Sequence, residues 1–176
     1  MTDHVGQDHE GFMEMALVRA EHALAAGEFP VGCVLMAGGR LLCDGSREGT
    51  ANGRANETEH AEIVALRRLE EIEAAGKGPE RSSITCYCTL EPCLMCFGAL
   101  LINGITNLVY AYEDAMGGGT SADLSRLPPL YSARPVRITA GVLRERSLAL
   151  FKRFWGDSGN TYLTGTMLYA YTLGQP

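Results

Sequence analysis

Apolar residues recur along the chain with two different periods, and the alternation of these periods predicts its architecture. A period near that of an α-helix predicts helices at about residues 11–26, from Thr58 onward, from Pro92 onward and at 143–155. Short runs rich in β-branched and apolar residues predict strands at 31–36, 41–44, 83–88, 107–112 and 136–139. This order predicts an α/β sandwich in which helices cover a mixed sheet of about five strands.

The domain organisation predicted from the sequence is simple. The 176 residues can form one sizeable hydrophobic core, and no Pro/Ser-rich linker divides them. We expect a disordered tail at 1–10, one domain at 11–156, and an extension at 157–176 that packs on this domain or on a dimer partner. The glycine-rich residues 116–120 predict a flexible loop. The chain shows no apolar run long enough to cross a membrane and no signal-peptide pattern, so we expect a reducing, cytoplasmic location.

The chemistry that the sequence predicts most strongly lies in two short motifs, HAE at 60–62 and PCLMC at 92–96. They supply one imidazole, His60, and two thiols, Cys93 and Cys96, which are ligand types that zinc prefers. Structural zinc sites close their shell with protein ligands, whereas catalytic sites leave one position for water. Because Glu62 is not needed as a ligand, we expect it to transfer protons. The motifs therefore predict one catalytic zinc ion per chain.

Local structure supports this interpretation of the motifs. His60 and Glu62 fall in the first turn of the helix predicted from Thr58. Cys93 and Cys96 lie three residues apart, on one face of the helix that Pro92 opens. The positive end of a helix dipole favours thiolate over thiol. We therefore expect two helix N-termini to face each other across the metal.

The other cysteines allow an alternative. Cys86 and Cys88 could complete a four-thiolate structural zinc site with the PCLMC cysteines, which would leave His60 and Glu62 on the surface. Their place on one face of an apolar strand instead favours buried thiols that behave as small hydrophobic residues. The same interpretation applies to Cys33 and Cys43. The remaining histidines are expected in the tail or on a solvated helix face: His4, His9 and His22.

Further stretches show a resemblance to a known family. They are EFPVGCVL at 28–35, HAEI at 60–63, TLEPCLMCFGALL at 89–101, and ITAGVL at 138–143 before a Phe-rich helix. Together they resemble the cytidine deaminase superfamily, in the branch that holds tRNA adenosine deaminases and small guanine deaminases. The resemblance covers roughly residues 11–155 and implies a three-layer α/β/α sandwich with a five-stranded sheet, commonly a homodimer. It implies that zinc on His60, Cys93 and Cys96 and a proton-transferring Glu62 remove an amino group from a nucleobase.

The resemblance also implies where a base would bind. The backbone at Ala61, Leu90 and Glu91 is expected to hold the base edge and the leaving group. Phe29 and Pro30 are expected to wall the pocket, unless they serve only as hinge and core residues.

The sequence departs from the tRNA enzymes at Arg47, where those enzymes carry an Asn that orients the base. Arg47 has only hydrogen-bond donors, so it could read an acceptor-rich ring or a phosphate. Alternatively, Arg47 is a solvated loop residue. Asn52 or Asn56 could then supply the missing amide.

Charge divides the chain unevenly. Fifteen basic residues stand against 21 acidic ones, for a net charge of −6, which disfavours broad nucleic-acid binding. Between 126 and 153, however, only Glu145 opposes seven basic residues: Arg126, Arg134, Arg137, Arg144, Arg146, Lys152 and Arg153. This segment is either a tRNA-binding surface or a solvated or dimer-facing one.

Three functions are consistent with these patterns. The first is a zinc-dependent deaminase of a free nucleobase or nucleoside. It is favoured by the excess of acidic residues, by the departure at Arg47 and by the aromatic C-terminal tail. The tyrosines of this tail either close over the pocket or simply pack against the domain: Tyr162, Tyr169 and Tyr171. The second is a tRNA wobble-adenosine deaminase, favoured by ITAGVL and the basic segment. The third is a catalytically silent zinc scaffold, which the intact Glu62 disfavours.

Overall fold

The computed structural model describes residues 8–51 and 56–176. Its strands are β1 (Gly32–Ala37), β2 (Arg40–Ser46), β3 (Ile84–Leu90), β4 (Asn107–Tyr112) and β5 (Arg137–Thr139). Its α-helices are α1 (His9–Ala25), α2 (Ala61–Ala74), α3 (Leu94–Ile102), α4 (Pro129–Ser132), α5 (Arg144–Gly156) and α6 (Met167–Leu173). Short 3-10 turns lie at Arg81–Ser83 and Leu124–Arg126. None of the described helices has the length and apolar character that a membrane crossing needs.

The strands form one mixed sheet in the order β2-β1-β3-β4-β5. β1 pairs antiparallel with β2 and with β3, whereas β3, β4 and β5 run parallel to one another. The sheet therefore confirms the predicted mixed, five-stranded α/β architecture. Because β3 and β4 are parallel, their carboxyl ends meet at one edge of the sheet, where open α/β sheets bind ligands.

Side chains of β1 show how the sheet separates two layers of helices. Cys33 and Leu35 belong to a core cluster that includes residues of α2 and α3, whereas Val34 and Met36 pack with residues of α1. Alternation along a strand sends successive side chains to opposite faces, so both faces of β1 are buried. The result is the three-layer sandwich that the resemblance implies, with α5 packed beside α1 and β4.

The N-terminal prediction was wrong at its boundary. Helix α1 begins at His9, and the side chain of Asp8 caps it by accepting a hydrogen bond from Gly11 N. His9 is not a solvated tail residue, because its Nδ1 lies 2.9 Å from the hydroxyl of Tyr87. His22 is exposed on α1, as expected. Residues 1–7, including His4, lie outside the described residues.

Helix α2 also begins later than predicted, at Ala61 rather than Thr58. The side-chain oxygen of Asn56 accepts hydrogen bonds from both the backbone N and the hydroxyl of Thr58. Such a local side-chain turn competes with helix formation. His60 consequently occupies the N-cap with extended backbone, directly before the first helical residue.

The C-terminal extension packs on the same domain. Leu168 of α6 is buried in the main core cluster, and Thr172 lies 3.2 Å from the hydroxyl of Tyr112 in β4. The extension therefore reaches the sheet edge at which the carboxyl ends of β3 and β4 meet.

Candidate active site

The three predicted zinc ligands come together at the start of two helices. His60 is the N-cap residue of α2, Cys93 is the N-cap residue of α3, and Cys96 lies in the first turn of α3. Their donor atoms all lie within 4.8 Å of one another. The structure thus shows the expected arrangement of two facing helix N-termini, although His60 precedes its helix instead of belonging to its first turn.

The donor set fits a tetrahedral zinc ion. For Zn–S and Zn–N bonds of ordinary length at a tetrahedral angle, the nitrogen and sulfur atoms should be about 3.6 Å apart. The observed distance from Cys93 Sγ to His60 Nδ1 is 3.6 Å. The hydrogen bond between the two thiols lowers the pKa of Cys93 to about 4 and raises the pKa of Cys96, so the donor types and their spacing, and not these pKa values, indicate zinc. His60, Cys93 and Cys96 are therefore the residues that would hold the metal.

Glu62 lies beside this group as the second residue of α2. Its side chain is only 3% exposed, although a carboxylate normally stays in water. Burial raises the pKa of Glu62 to about 7. A carboxyl group with this pKa can both accept and return a proton near neutral pH.

The remaining cysteines form a separate cluster behind the site. The sulfur atoms of Cys33, Cys86 and Cys88 are 3.4–3.7 Å apart and fully buried between β1 and β3. This is the distance of sulfur atoms in van der Waals contact, as expected for thiols that fill a core. Within the described chain, Cys86 and Cys88 group with Cys33 and not with Cys93 and Cys96. The structure therefore does not assemble the four-thiolate alternative.

A cavity of about 240 Å³ opens in front of these residues. Its apolar walls are formed by Phe29, Val31, Leu90, Leu163 and Leu168, and its polar lining includes Arg47, Glu57, His60, Glu62, Glu91, Cys93 and Asp114. Five of the residues predicted to bind substrate line it: Phe29, Arg47, Ala61, Leu90 and Glu91. Pro30 is buried next to Phe29 and does not line the cavity.

Arg47 is not a solvated loop residue. Its side chain is 2% exposed and follows β2 into the wall of the cavity. Its guanidinium donates to the backbone oxygens of Glu48 and Asn56 and to the side chains of Glu57 and Tyr162. The side chain of Asn56 makes the turn with Thr58 and does not line the cavity; Asn52 lies outside the described residues.

Of the three C-terminal tyrosines, Tyr162 reaches the cavity. Its ring packs edge-on against Phe29 at 5.3 Å, and its backbone oxygen accepts a hydrogen bond from Trp155 Nε1 at 2.9 Å. Tyr169 instead packs against Trp155, and the hydroxyl of Tyr171 donates to Glu113. The extension therefore closes one side of the cavity with Tyr162 and its neighbour Leu163.

Sequence reasoning missed several lining residues directly after β4. Asp114 and residues 116–117 line the cavity, and the glycine loop at 116–120 is not loose as predicted. Gly119 N donates to Pro92 O, and Thr120 donates to the carboxylate of Glu91. The signal that could have found these residues is their position directly after a parallel strand.

The basic segment is less available than its sequence indicates. Arg144 forms an ion pair with Glu113, and Arg146 pairs with Glu14 of α1 at 2.7 Å. Lys152 donates to the backbone oxygens of 175 and 176. Glu145 is the only acidic residue within the segment, but carboxylates from outside it, Glu113 and Glu14, also fold against it.

Comparisons with known proteins agree with this geometry. Residues 6–112 match the family model described as the cytidine and deoxycytidylate deaminase zinc-binding region. A tRNA-specific adenosine deaminase of Agrobacterium fabrum is 35% identical over 144 residues, which cover 76% of this chain and 90% of that protein.

Two solved structures are also similar. One comes from studies of A-to-I editing by tRNA:A34 deaminases at the wobble position; it is 32% identical, has a TM-score of 0.60, and the match covers 80% of this chain and 98% of that one. The other is a protein in complex with 2,6-diaminopurine, which is 25% identical with a TM-score of 0.68, covering 90% and 87% of the two chains. Deaminases of this family are zinc hydrolases that act on C–N bonds in nucleobases, nucleosides or tRNA. Matched by the family model over more than half its length and carrying the zinc-ligand geometry, this chain belongs to the cytidine and deoxycytidylate deaminase family.

Proposed function

We propose that this chain deaminates an amino-substituted free nucleobase or nucleoside by hydrolysis, leaving a carbonyl group on the ring and releasing ammonia. One observation carries the proposal. The donor atoms of His60, Cys93 and Cys96 converge beside the buried carboxyl group of Glu62, at a cavity of about 240 Å³.

The residues of the chain have distinct roles in this reaction. Zinc held by the three ligands would supply the Lewis acidity that makes water nucleophilic near neutral pH. Glu62 takes one proton from the attacking water as the C–O bond forms and delivers it to a ring nitrogen. It then takes the second proton from the new hydroxyl group and gives it to the departing amine as the C–N bond breaks, so that ammonia leaves and a carbonyl group remains. The apolar walls at Phe29 and Leu90 exclude other water and contact the ring faces.

The shape of the cavity supports a small substrate. Its volume lies just below the roughly 300–1,000 Å³ of ordinary ligand pockets, which suits one base better than a larger ligand. The C-terminal extension contributes Tyr162, Leu163 and Leu168 to its walls. In addition, the match to the A34 deaminase structure leaves a fifth of this chain without a counterpart. The related protein bound to 2,6-diaminopurine supports a purine.

A second candidate function is deamination of the wobble adenosine of tRNA. It is supported by the identity to the Agrobacterium fabrum enzyme and to the A34 deaminase structure. We rank it second because Arg144, Arg146 and Lys152 already bind acidic or carbonyl groups of this chain. The predicted homodimer and cytoplasmic location stay predictions.

The test is ammonia release by zinc-loaded protein. The panel contains free purines and pyrimidines, their nucleosides and 5′-phosphates, and an adenosine-bearing anticodon stem-loop. We expect turnover of a free base or nucleoside, and a loss on the order of 10²–10⁴-fold in Glu62→Gln with zinc content unchanged. Turnover of the stem-loop alone would reverse our ranking of the two functions. Turnover that survives Glu62→Gln would refute the proton-transfer role.

A further inference from the structure

The hydrogen bonds of Arg47 direct four of its five N–H donors to groups of this chain, so its main role is structural support. Nη1 donates to Asn56 O at 2.6 Å and to Glu48 O at 2.9 Å. Nη2 lies 3.2 Å from Glu57 Oε2 and 3.3 Å from the hydroxyl of Tyr162. Every Nη hydrogen therefore has a protein acceptor. The guanidinium has little capacity left to bind a ring acceptor or a phosphate.

The group that Arg47 supports is the carboxylate of Glu57. The hydroxyl of Tyr162 donates to the same oxygen, Oε2, at 2.8 Å. Arg47 and Tyr162, which are far apart in the sequence, therefore both hold this oxygen of the carboxylate. Oε1 accepts no hydrogen bond from the described residues. Glu57 lines the cavity, and 60% of its side chain is exposed. A charged acceptor is thus held in place with one oxygen open.

The other carboxylates near the cavity are less available to a ligand than Glu57. Glu91 accepts hydrogen bonds from Thr120 and from the backbone of Asp114. Asp114 accepts from the backbone N atoms of 116 and 117 at 2.9 Å, both at Oδ1, so its Oδ2 accepts no hydrogen bond from the described residues. Glu62 is assigned to proton transfer. Glu57 differs from Asp114 because it is exposed, whereas Asp114 is half-buried, and because two side-chain donors fix its orientation.

We infer that Glu57 determines substrate specificity by accepting a hydrogen bond from a second N–H group on the six-membered ring of the substrate, apart from the amine that leaves. This inference rests on the proposed function and narrows its substrate class. An ionised carboxylate only accepts hydrogen bonds, so it favours a ring edge with a second N–H donor and disfavours a bare ring nitrogen. The same negative charge repels a phosphate, so the substrate is an unphosphorylated purine that carries such a donor.

The first experiment measures binding, separately from turnover. Dissociation constants for 2,6-diaminopurine and for adenine, which lacks the second amino group, are measured by calorimetry in zinc-loaded Glu62→Gln protein. We expect 2,6-diaminopurine to bind about tenfold to a hundredfold more tightly, as for a hydrogen bond to a charged group. Adding Glu57→Gln should remove most of this preference, because an amide can also donate to the ring nitrogen of adenine.

Glu59→Gln is the matched control, because Glu59 lies two residues further along the same loop and pairs with Arg67. It should keep the preference for 2,6-diaminopurine. Tyr162→Phe should weaken the preference by a smaller factor, since it removes one of the two donors that orient Glu57. In turnover assays, Glu57→Gln should raise KM more than it lowers kcat, as expected for loss of a binding contact. It should also reduce discrimination against nucleoside 5′-phosphates.

The outcomes separate this inference from the proposed function. If wild-type protein releases ammonia from no base or nucleoside, the proposed function fails. If a base is turned over but adenine binds as tightly as 2,6-diaminopurine, or Glu57→Gln leaves their ratio unchanged, only the role of Glu57 is wrong.

Discussion

Adding a single methyl group at Gly45, as in Gly45→Ala, should displace helix α2 and with it the residues of the metal site. Gly45 of β2 lies directly under the first turn of α2. A Cβ atom at this position would lie 2.8 Å from Ala65 N and closer still to Ala61 O. Backbone atoms cannot rotate away, so α2 must move by more than about 1 Å to restore ordinary contact distances. Since Ala61 lies between His60 and Glu62, both residues would move with it.

The expected magnitudes follow from this displacement. A shift of this size in catalytic groups costs on the order of 10²-fold in kcat/KM. Overpacking should also lower the free energy of unfolding by about 1–3 kcal/mol, which lowers Tm by about 2–4 °C per kcal/mol. Gly45→Ala should therefore fold, bind less zinc and lose most of its activity.

Gly32→Ala is the matched control for this variant. Gly32 of β1 lies against α1 as Gly45 lies against α2, and its added Cβ would come within 2.6 Å of Ala20 N. Because α1 carries none of the zinc ligands, Gly32→Ala should lose similar stability but keep zinc and kcat/KM in the folded fraction. Tm, zinc per chain and kcat/KM are measured for both variants. Equal zinc and activity in Gly45→Ala and Gly32→Ala would refute the proposed coupling between β2 and the site.

Two further experiments test the ligand set and one surface ion pair. Metal analysis should show that Cys93→Ser and Cys96→Ser each lose bound zinc, whereas Cys88→Ala keeps it. If the two serine variants retained zinc, the buried cysteine cluster would be the metal site instead. The hydrogen bond from Arg144 lowers the pKa of Glu113 from 4.5 to about 2, so the pair stabilises the fold above about pH 4.5 and this contribution disappears as the pH falls toward 2. In urea unfolding at pH 7, the free energy of unfolding of Glu113→Gln should be about 1 kcal/mol lower than that of wild type, a modest value because the ion pair is partly exposed. This difference should become smaller at about pH 2.5. A difference independent of pH would show that the charge of Glu113 does not contribute.

The sequence was sufficient to predict the site where local structure alone places the ligands. A histidine before a helix and two cysteines three apart at the start of another helix are positioned by the backbone within a few residues. The apolar pattern of β4 likewise predicted its bounds, Asn107–Tyr112, because a strand buried in the sheet is almost continuously apolar.

The predictions that failed depend on contacts between distant residues. For Arg47, the solvated-loop alternative was wrong, and the sequence could not decide because its partner Tyr162 lies 115 positions away. The charge of Arg146 looked free because Glu14 lies 132 positions away. The start of α2 was misplaced for a different reason, since the turn made by Asn56 is local but competes with a helix of similar propensity. Long-range pairing of polar groups has no period that a sequence pattern could show.

The attachment of the C-terminal extension provides an intrinsic optical probe. Trp155 is the single tryptophan of the chain, and its indole binds the backbone of Tyr162 while contacting the rings of Phe29 and Tyr169. Indole emission responds to the polarity around the ring and to its hydrogen bond. Detachment of the extension would therefore expose Trp155 to water and shift its fluorescence, so any such motion can be timed by stopped flow in the unlabelled, unmodified protein.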